Sequence, residues 1–283
     1  FDPRLAVFYR FSEELFFKAS TGIVHQFLYR FSNDFITNGS KFVWLLPDDD
    51  ADPMAAQQIS IGFEYDTPFT FIGLDIYNKA MDNIADFSQL VFPVDVYIKE
   101  TSALVFKGSG TARGLELLVR KKDGYLRGWA AYNYGIVEYE FPDLNGGKTF
   151  LADHDRTHEL KSAIIRSYGP WNMALTGLIS TGRVYTPNNN LTIRENENAN
   201  YTLVAEPGTR NSKRLPMIKR IDISLTRSHR LLAKNLDIGI SIFNLFNRRN
   251  ISHRSYNLTA DPFITTDIVM LGLTPTLSIR LEL

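Results

Sequence analysis

The amino-acid sequence predicts an all-β protein, an antiparallel transmembrane β-barrel, and three observations support this fold class. Apolar and polar residues alternate with the period of two that is typical of strands. Short turns alternate along the chain with long polar loops. The segments between them are about ten residues long, and a tilted strand of that length crosses the hydrocarbon layer of a membrane.

The alternation is clearest in four segments: 59–65, 221–226, 236–242 and 277–283. In the third of these, leucine or isoleucine occupies every second position, and Asp237 and Ser241 lie among the residues between them. Helical spacing is not sustained anywhere, and the best helical candidate is the short stretch 80–87, inside a predicted loop. Alternation alone does not distinguish a soluble barrel from a membrane barrel, so the loop lengths and the strand count must decide.

The connections favour the membrane barrel, in which short turns and long loops lie at opposite ends. A propeller would need several tight turns in each repeat, and a sandwich would not place every long loop at alternate connections. The predicted turns contain Gly, Pro, Asp or Ser and lie at 12–14, 66–68, 122–124, 168–170 and, somewhat longer, about 228–235. The predicted long loops are 27–55, 79–107, 140–155, 183–217 and 246–267.

Composition excludes several other classes. Lys plus Arg and Asp plus Glu each total 31, so the chain lacks the basic charge that nucleic-acid binding needs. It has no cysteine and therefore no disulfide or thiolate metal site. No apolar run approaches the ~18 residues of a transmembrane helix. The chain begins at Phe1 without a methionine, and we expect it to be part of a longer protein.

The stretch 236–250, which contains Asn244-Leu-Phe-Asn247, resembles the penultimate-strand motif of TonB-dependent outer-membrane receptors. The run 270–283 is similar to the closing strand of those receptors. Further similar segments follow the order of the family and are 3–26, 110–134, 153–158 and 180–187. The resemblance covers the whole chain and is greatest to receptors of Bacteroidetes-type bacteria.

The resemblance implies a 22-strand barrel whose last strand ends in the periplasm. Counting back from the C-terminus gives about eleven strands, so residues 1–283 would be the C-terminal part of the barrel. The plug domain and the N-terminal strands would be missing. The first strand, 4–10, would then run towards the periplasm and be followed by a short turn, as the sequence shows. Such barrels commonly end in an aromatic residue, whereas this chain ends in Leu283.

The function that the resemblance implies is TonB-energised uptake of a bulky nutrient across the bacterial outer membrane. The ligand would be a ferric siderophore, haem, cobalamin or a glycan. The implied partners are the lipid bilayer, the receptor's own plug domain and, through the plug, TonB. The alternatives are a passive porin or structural outer-membrane barrel, and a secreted soluble β-sheet binding protein. We expect neither catalysis nor a cofactor, since no nucleophile elbow or phosphate loop occurs.

The predicted extracellular loops supply the candidate ligand residues. Aromatic rings suit stacking on a ligand and guanidinium groups suit pairing with an anion. The candidates are Trp44, Tyr77, Tyr185, Arg194, Tyr201 and Arg210. The competing interpretation is that the aromatic residues form a membrane girdle or pack within the loops.

Charged residues on the polar side of the strands are candidates for contact with the plug. They are Lys18, Glu64, Arg120, Arg127, Asp222 and Asp237. The competing interpretation is that they simply line a wet lumen. Two acidic clusters could hold a cation, but we expect no metal at either. The cluster 48–52 lacks the spacing and the glycine of an EF-hand, and 153–158 lies where a loop enters a strand in a way that resembles the family pattern.

Overall fold

A computed structural model describes residues 1–33, 41–46, 52–87, 105–195, 201–231, 234–257 and 264–281. The protein is all-β, as predicted. In chain order its strands are β1 (Arg4–Arg10), β2 (Leu15–Gln26), β3 (Tyr29–Asn33), β4 (Lys41–Leu45), β5 (Met54–Asp66), β6 (Thr70–Phe87), β7 (Val105–Lys121), β8 (Leu126–Glu140), β9 (Phe150–Leu151), β10 (His158–Tyr168), β11 (Trp171–Ser180), β12 (Val184–Tyr185), β13 (Asn188–Glu195), β14 (Tyr201–Pro207), β15 (Lys213–Arg214), β16 (Ile218–Leu231), β17 (Lys234–Phe243), β18 (Ile251–Asn257), β19 (Ile264–Val269) and β20 (Thr274–Leu281). A short 3-10 turn covers Asn145–Gly147. Within the described residues, no helix is both long and apolar enough to cross a membrane.

Eleven of these strands form one continuous antiparallel sheet in the order β1-β2-β5-β6-β7-β8-β10-β11-β16-β17-β20, and β9 pairs with β8 off this path. Along the chain, each strand of this sheet pairs with the next strand that belongs to the same sheet, as in an up-and-down barrel. The count agrees with the prediction of about eleven. In the part of the chain that the structure describes, β1 and β20 are the two edges of the sheet.

The short connections all lie at one end of the sheet, here called the turn end, and the long ones at the other, the loop end. Tight turns join β1 to β2, β5 to β6, β7 to β8 and β10 to β11, as predicted. The turn predicted at about 228–235 is shorter than expected, because Leu231 of β16 already pairs with Lys234 of β17. The predicted alternation of turns and loops is therefore confirmed.

The apolar rows of the strands form the outward face of the sheet. Ile61 pairs with Ile76, which in turn pairs with Leu115, so the apolar residues of neighbouring strands lie side by side. Ile61 and Ile76 are 45% and 53% exposed, whereas Gly62, between Ile61 and its next outward neighbour, is buried. A soluble barrel requires the reverse. The predicted orientation, with apolar residues towards lipid, is confirmed.

The opposite face, here called the polar face, carries charged and hydroxyl groups that pair across strands. The Lys18 ammonium lies 2.7 Å from a Glu64 carboxylate oxygen and 3.0 Å from one of Asp75. The Ser20 and Ser60 hydroxyls are 2.7 Å apart. Strand parity puts all six predicted charged residues on this face: Lys18, Glu64, Arg120, Arg127, Asp222 and Asp237.

The predicted loop 79–107 and its helical candidate 80–87 are wrong, because β6 continues to Phe87 and β7 begins at Val105. The register shifts between Met81 and Ile84, which pair with Gly110 and Gly108. Asn83 adopts a φ of 57° at this bulge. The extra residue places Met81 and Ile84 on the same face, and this spacing imitated a helix in the sequence.

Several long loops contain strands of their own, which the sequence did not reveal. Hairpins β3–β4, β13–β14 and β18–β19 rise from the loop end, and β12 pairs with β15. In the part described, each of these pairs is a separate two-stranded sheet outside the eleven-stranded path.

Candidate functional site at the loop end of the sheet

An apolar cluster covers the polar face close to the loop end. Its buried members are Ala56, Met81, Ile84, Phe141 and Phe150, and Phe141 is fully buried. The Phe141 and Phe150 rings stack with their centroids 6.0 Å apart. The enclosed side of the sheet therefore changes along the strands, from charged groups near the turn end to an aromatic and aliphatic floor near the loops.

A cavity of about 560 Å³ opens beside this cluster. Its walls come from the ends of β2, β5 and β6 and from the start and end of the loop between β2 and β5. The lining residues are Val24, His25, Gln26, Phe27, Leu28, Leu46, Met54, Ala56 and Lys79. This volume falls within the range of small-molecule sites, which are mostly apolar with a few polar groups.

Lys79 is the fixed positive charge of the cavity. Within the described residues no ion pair to its ammonium is found. The other basic group of the lining, His25, already lies 2.6 Å from the Asp2 carboxylate through Nδ1. The hydrogen bond with His25 lowers the pKa of Asp2. Among the described residues, Lys79 is therefore the basic group of the lining that has no ion pair.

A polar network centred on Arg210 closes the rim next to the apolar cluster. The Arg210 guanidinium lies 3.0 Å from an Asp86 carboxylate oxygen and 3.4 Å from one of Asp153, and it packs over the Phe150 ring. The side-chain amide of Asn211 donates to Asp153 at 2.6 Å. These contacts join the top of β6 to the loops that follow β8 and β11.

A second polar network, centred on Asp155, lies beside the Arg210 network. The Asp155 carboxylate is 1% exposed and accepts hydrogen bonds from the Arg214 guanidinium at 2.7 Å and from the Val137 backbone N–H at 3.1 Å. Arg214 also donates to the Gly182 carbonyl at 2.9 Å. The acidic segment 153–158 is therefore structural in this fold. No group of three or more metal-ligating side chains occurs in the part of the chain that the structure describes.

The Asn244-Leu-Phe-Asn247 motif ends β17 at the loop end. Asn244 is 1% exposed and adopts a φ of 54°, in the left-handed region. Its side-chain amide donates to the carbonyls of Arg248 at 2.9 Å and Leu271 at 3.0 Å, and its oxygen accepts from the Arg248 N–H at 3.0 Å. Its backbone N–H donates to Asp222 at 2.8 Å. The motif ties β16, β17 and the approach to β20 together.

Three of the six predicted ligand residues have described side chains. Tyr77 does not lie in a loop, because it is part of β6 and faces the polar side, where its hydroxyl covers Gly114 and Gly135. Tyr185 accepts a hydrogen bond from Arg254 at 2.9 Å. Arg210 is committed to the carboxylates of the rim network.

The other three predicted ligand residues are Trp44 in β4, Arg194 in β13 and Tyr201 in β14. Their side chains lie outside the described part of the structure, and their role as ligand contacts stays a prediction. The structure does not bring Tyr77, Tyr185 and Arg210 together into one pocket. The acidic cluster 48–50 also lies outside the described residues.

Sequence reasoning missed Lys79 and the apolar cluster. Lys79 lies two residues after Tyr77 in β6, in a segment that the sequence analysis predicts to be a loop. Its inward parity with Asp75 and Tyr77 was the signal that could have identified it. The contribution of Phe141 and Phe150 had no local signal, since both lie outside the alternating strand segments.

Comparison of the chain with known families and solved structures agrees with the fold described above. A family model described as TonB dependent receptor-like, beta-barrel, matches residues 1–245. Among solved structures, the FrpB iron transporter from Neisseria meningitidis is 13% identical with a TM-score of 0.58, over 99% of this chain and 38% of that one. The ferric yersiniabactin uptake receptor FyuA from Yersinia pestis is 14% identical with a TM-score of 0.61, over 98% and 36%. The ferric citrate transporter FecA is 14% identical with a TM-score of 0.60, over 99% and 37%.

The chain therefore spans little more than a third of the length of these three structures. A search of curated protein sequences finds no match. At these identities the likeness shows the fold, while the family model covers most of the chain. Eleven antiparallel strands, an outward apolar face and the family match agree, and the chain belongs to the family of TonB-dependent receptor β-barrels of the bacterial outer membrane.

Proposed function

We propose that the chain forms part of the wall and the ligand-facing mouth of a receptor that takes up a bulky nutrient across the outer membrane with energy from TonB. The mouth binds ligand and the wall surrounds a plug domain, through which TonB acts. The chain supports binding and passage and performs no catalysis. The cavity lined by Lys79 and by mostly apolar side chains, next to the apolar cluster, is the observation that carries the proposal.

The chemistry of the cavity suits a ligand with apolar surface and a negative charge. A ferric siderophore meets both requirements, because its iron is held by oxygen donors on an organic frame. The similar solved structures include an iron transporter, a ferric yersiniabactin uptake receptor and a ferric citrate transporter, which supports an iron complex as the ligand class. Haem, cobalamin and glycans are the remaining candidates.

The charged groups of the polar face are suited to contact with the plug. Lys18, Glu64 and Asp75 form one charged group close to the turn end. Part of their charge is exposed, with side-chain exposures of 27% to 36%, so these groups keep hydrogen-bonding capacity for a partner inside the barrel. A passive porin would not need such a partner, and the family match gives that alternative no support.

Uptake by the full-length receptor tests the proposal. The receptor is expressed in a host without its own ferric receptors, and uptake of radioactive iron is measured from ferric citrate, ferrichrome and ferric enterobactin. Haem, cobalamin and a maltooligosaccharide complete the panel. We expect uptake of at least one probe that disappears when the host lacks TonB. Equal uptake with and without TonB, or uptake of none of the six, contradicts the proposal.

Lys79→Gln tests the site within the same receptor. Loss of a charge-assisted hydrogen bond of about 1.4 kcal/mol corresponds to about tenfold weaker binding of an anionic probe. Lys148→Gln removes the same charge from an exposed loop-end position outside the cavity, and we expect no change in affinity. Equal affinities of the two variants would place the ligand elsewhere in the mouth.

A further inference from the structure

The outward face carries unequal charges at its two ends. In the half near the turns, the described outward strand positions include Lys121, Arg166 and Arg227 but no aspartate or glutamate. In the half near the loops, acidic residues such as Glu138 also face outwards, and Glu138 pairs with Arg113 at 3.3 Å. The lipid-facing border at the turn end is therefore purely cationic within the described residues.

Two of these cations flank a tryptophan on three neighbouring strands. The Arg227 guanidinium of β16 lies over the Trp171 ring of β11, 5.0 Å from its centroid. Trp171 is directly opposite Arg227 on one side and Tyr168 of β10 on the other. Arg166, two residues before Tyr168, points to the same face and is opposite Met173. We call Arg166, Tyr168, Trp171 and Arg227 the turn-end basic patch.

The register fixes how far apart the two guanidinium groups can be. Neighbouring strands are about 4.8 Å apart, so β10 and β16 are separated by roughly 10 Å across β11. Arg166 and Arg227 are offset by one outward position along the strands, about 7 Å. Each arginine side chain extends several ångströms, and both can reach one group placed above Trp171.

The surroundings determine what that group is. An unpaired cation on the lipid face is costly at the membrane midplane and costs little near an interface, so the patch belongs at the headgroup level. The exposed Tyr168 and the half-buried Trp171 are the residue types of that level. No ion pair to Arg166 is found in the described chain, and Arg227 has only its ring contact. Phosphate is the anion of the headgroup layer, and guanidinium binds it with two parallel hydrogen bonds.

We propose that the turn-end basic patch is a binding site for the phosphate of an anionic glycerophospholipid, of the phosphatidylglycerol class, in the periplasmic leaflet. Arg166 and Arg227 hold the phosphate from two sides. Trp171 keeps the Arg227 side chain in place, and Met173 and the aliphatic rows above it contact the acyl chains. The site lies on the outside of the barrel, away from the ligand mouth, and does not depend on which nutrient is carried.

Lipid retention by the full-length receptor tests the proposal. The purified receptor in neutral detergent is titrated with phosphatidylglycerol or with phosphatidylcholine, and bound lipid is counted by native mass spectrometry. We expect phosphatidylglycerol to be retained in preference. The double variant Arg166→Gln/Arg227→Gln is expected to bind phosphatidylglycerol about tenfold more weakly, with phosphatidylcholine unchanged. Equal retention of both lipids by the wild type overturns the proposal.

Arg230→Gln is the matched control, because Arg230 lies on β16 but on the polar face. It removes one positive charge close to Arg227 without changing the outward surface, and its phosphatidylglycerol binding should equal that of the wild type. If the double variant does not fold, the single variant Arg166→Gln replaces it, with an expected loss of about threefold. Wild-type affinity in every variant that folds, or an equal loss in Arg230→Gln, would show that the patch is not the site.

Discussion

Replacing Asn244 by alanine should destabilise the barrel strongly, although Asn244 touches neither the cavity nor the rim network. The side-chain amide makes three hydrogen bonds to backbone groups and is 1% exposed. A buried polar group left without its partner costs about 1–3 kcal/mol. The φ of 54° adds about 1 kcal/mol when alanine replaces asparagine, since only glycine and a few short polar residues adopt this region readily.

The expected loss in free energy of unfolding for Asn244→Ala is therefore about 2–4 kcal/mol. The assay is guanidinium unfolding of the full-length receptor folded in lipid vesicles, followed by tryptophan fluorescence. Asn244→Gly separates the two contributions. It loses the same side-chain hydrogen bonds but tolerates the left-handed backbone, so it should be more stable than the alanine variant by about 1 kcal/mol.

Asn172→Ala is the control for this prediction, because Asn172 is exposed on β11 and makes a single side-chain contact with Ser167. Its expected effect is within about 0.5 kcal/mol. If Asn244→Ala unfolds at the same denaturant concentration as Asn172→Ala, the motif does not hold the ends of β16, β17 and β20 together. The structural account of Asn244-Leu-Phe-Asn247 would then be refuted.

Two further predictions concern the polar face and the loop-end hairpin. Gly114→Ala places a methyl carbon 2.6 Å from the Tyr77 hydroxyl and 2.5 Å from a backbone carbonyl, so we expect the free energy of unfolding to fall by about 1–3 kcal/mol in the same assay. Gly73→Ala is the control, because its methyl group meets only one ring, at 3.0 Å, and should cost less. Equal losses in the two variants would contradict the close packing at Gly114. The hydrogen bond from Arg254 lowers the pKa of Asp267. The pair therefore stabilises β18–β19 fully at pH values above the ordinary aspartate pKa, and this stabilisation is lost as the pH falls through the lowered pKa. Amide hydrogen exchange of this hairpin, corrected for intrinsic rates, measures the effect. Protection from exchange should decrease at low pH in the wild type but not in Asp267→Asn. Identical pH profiles of the two proteins would exclude a role for the pair.

The geometry of the candidate site was only partly predictable. The sequence predicted ligand contacts in the loops, and the structure has a cavity at the loop end. Arg210 was predicted to pair with an anion, and it does pair with carboxylates, but with those of Asp86 and Asp153. Asp86 is 124 positions from Arg210 in the chain, so no local pattern could have indicated the contact. The sequence did not predict Lys79 as a site residue, because the bulge at Asn83 interrupts the alternation and the end of β6 therefore has the pattern of a loop.

The sequence by itself determined the strand type, the order of turns and loops, and which residues share a face, because alternation with a period of two is a local property of the chain. Isoleucine rows such as Ile238 and Ile240 are readable without any knowledge of their neighbours. The pattern of turns and loops favoured an outward direction for those rows, and the tertiary structure established it, since burial depends on how eleven strands curve together. The tertiary structure also decided which loops meet at the rim, because the register of the sheet brings segments together that are far apart in sequence.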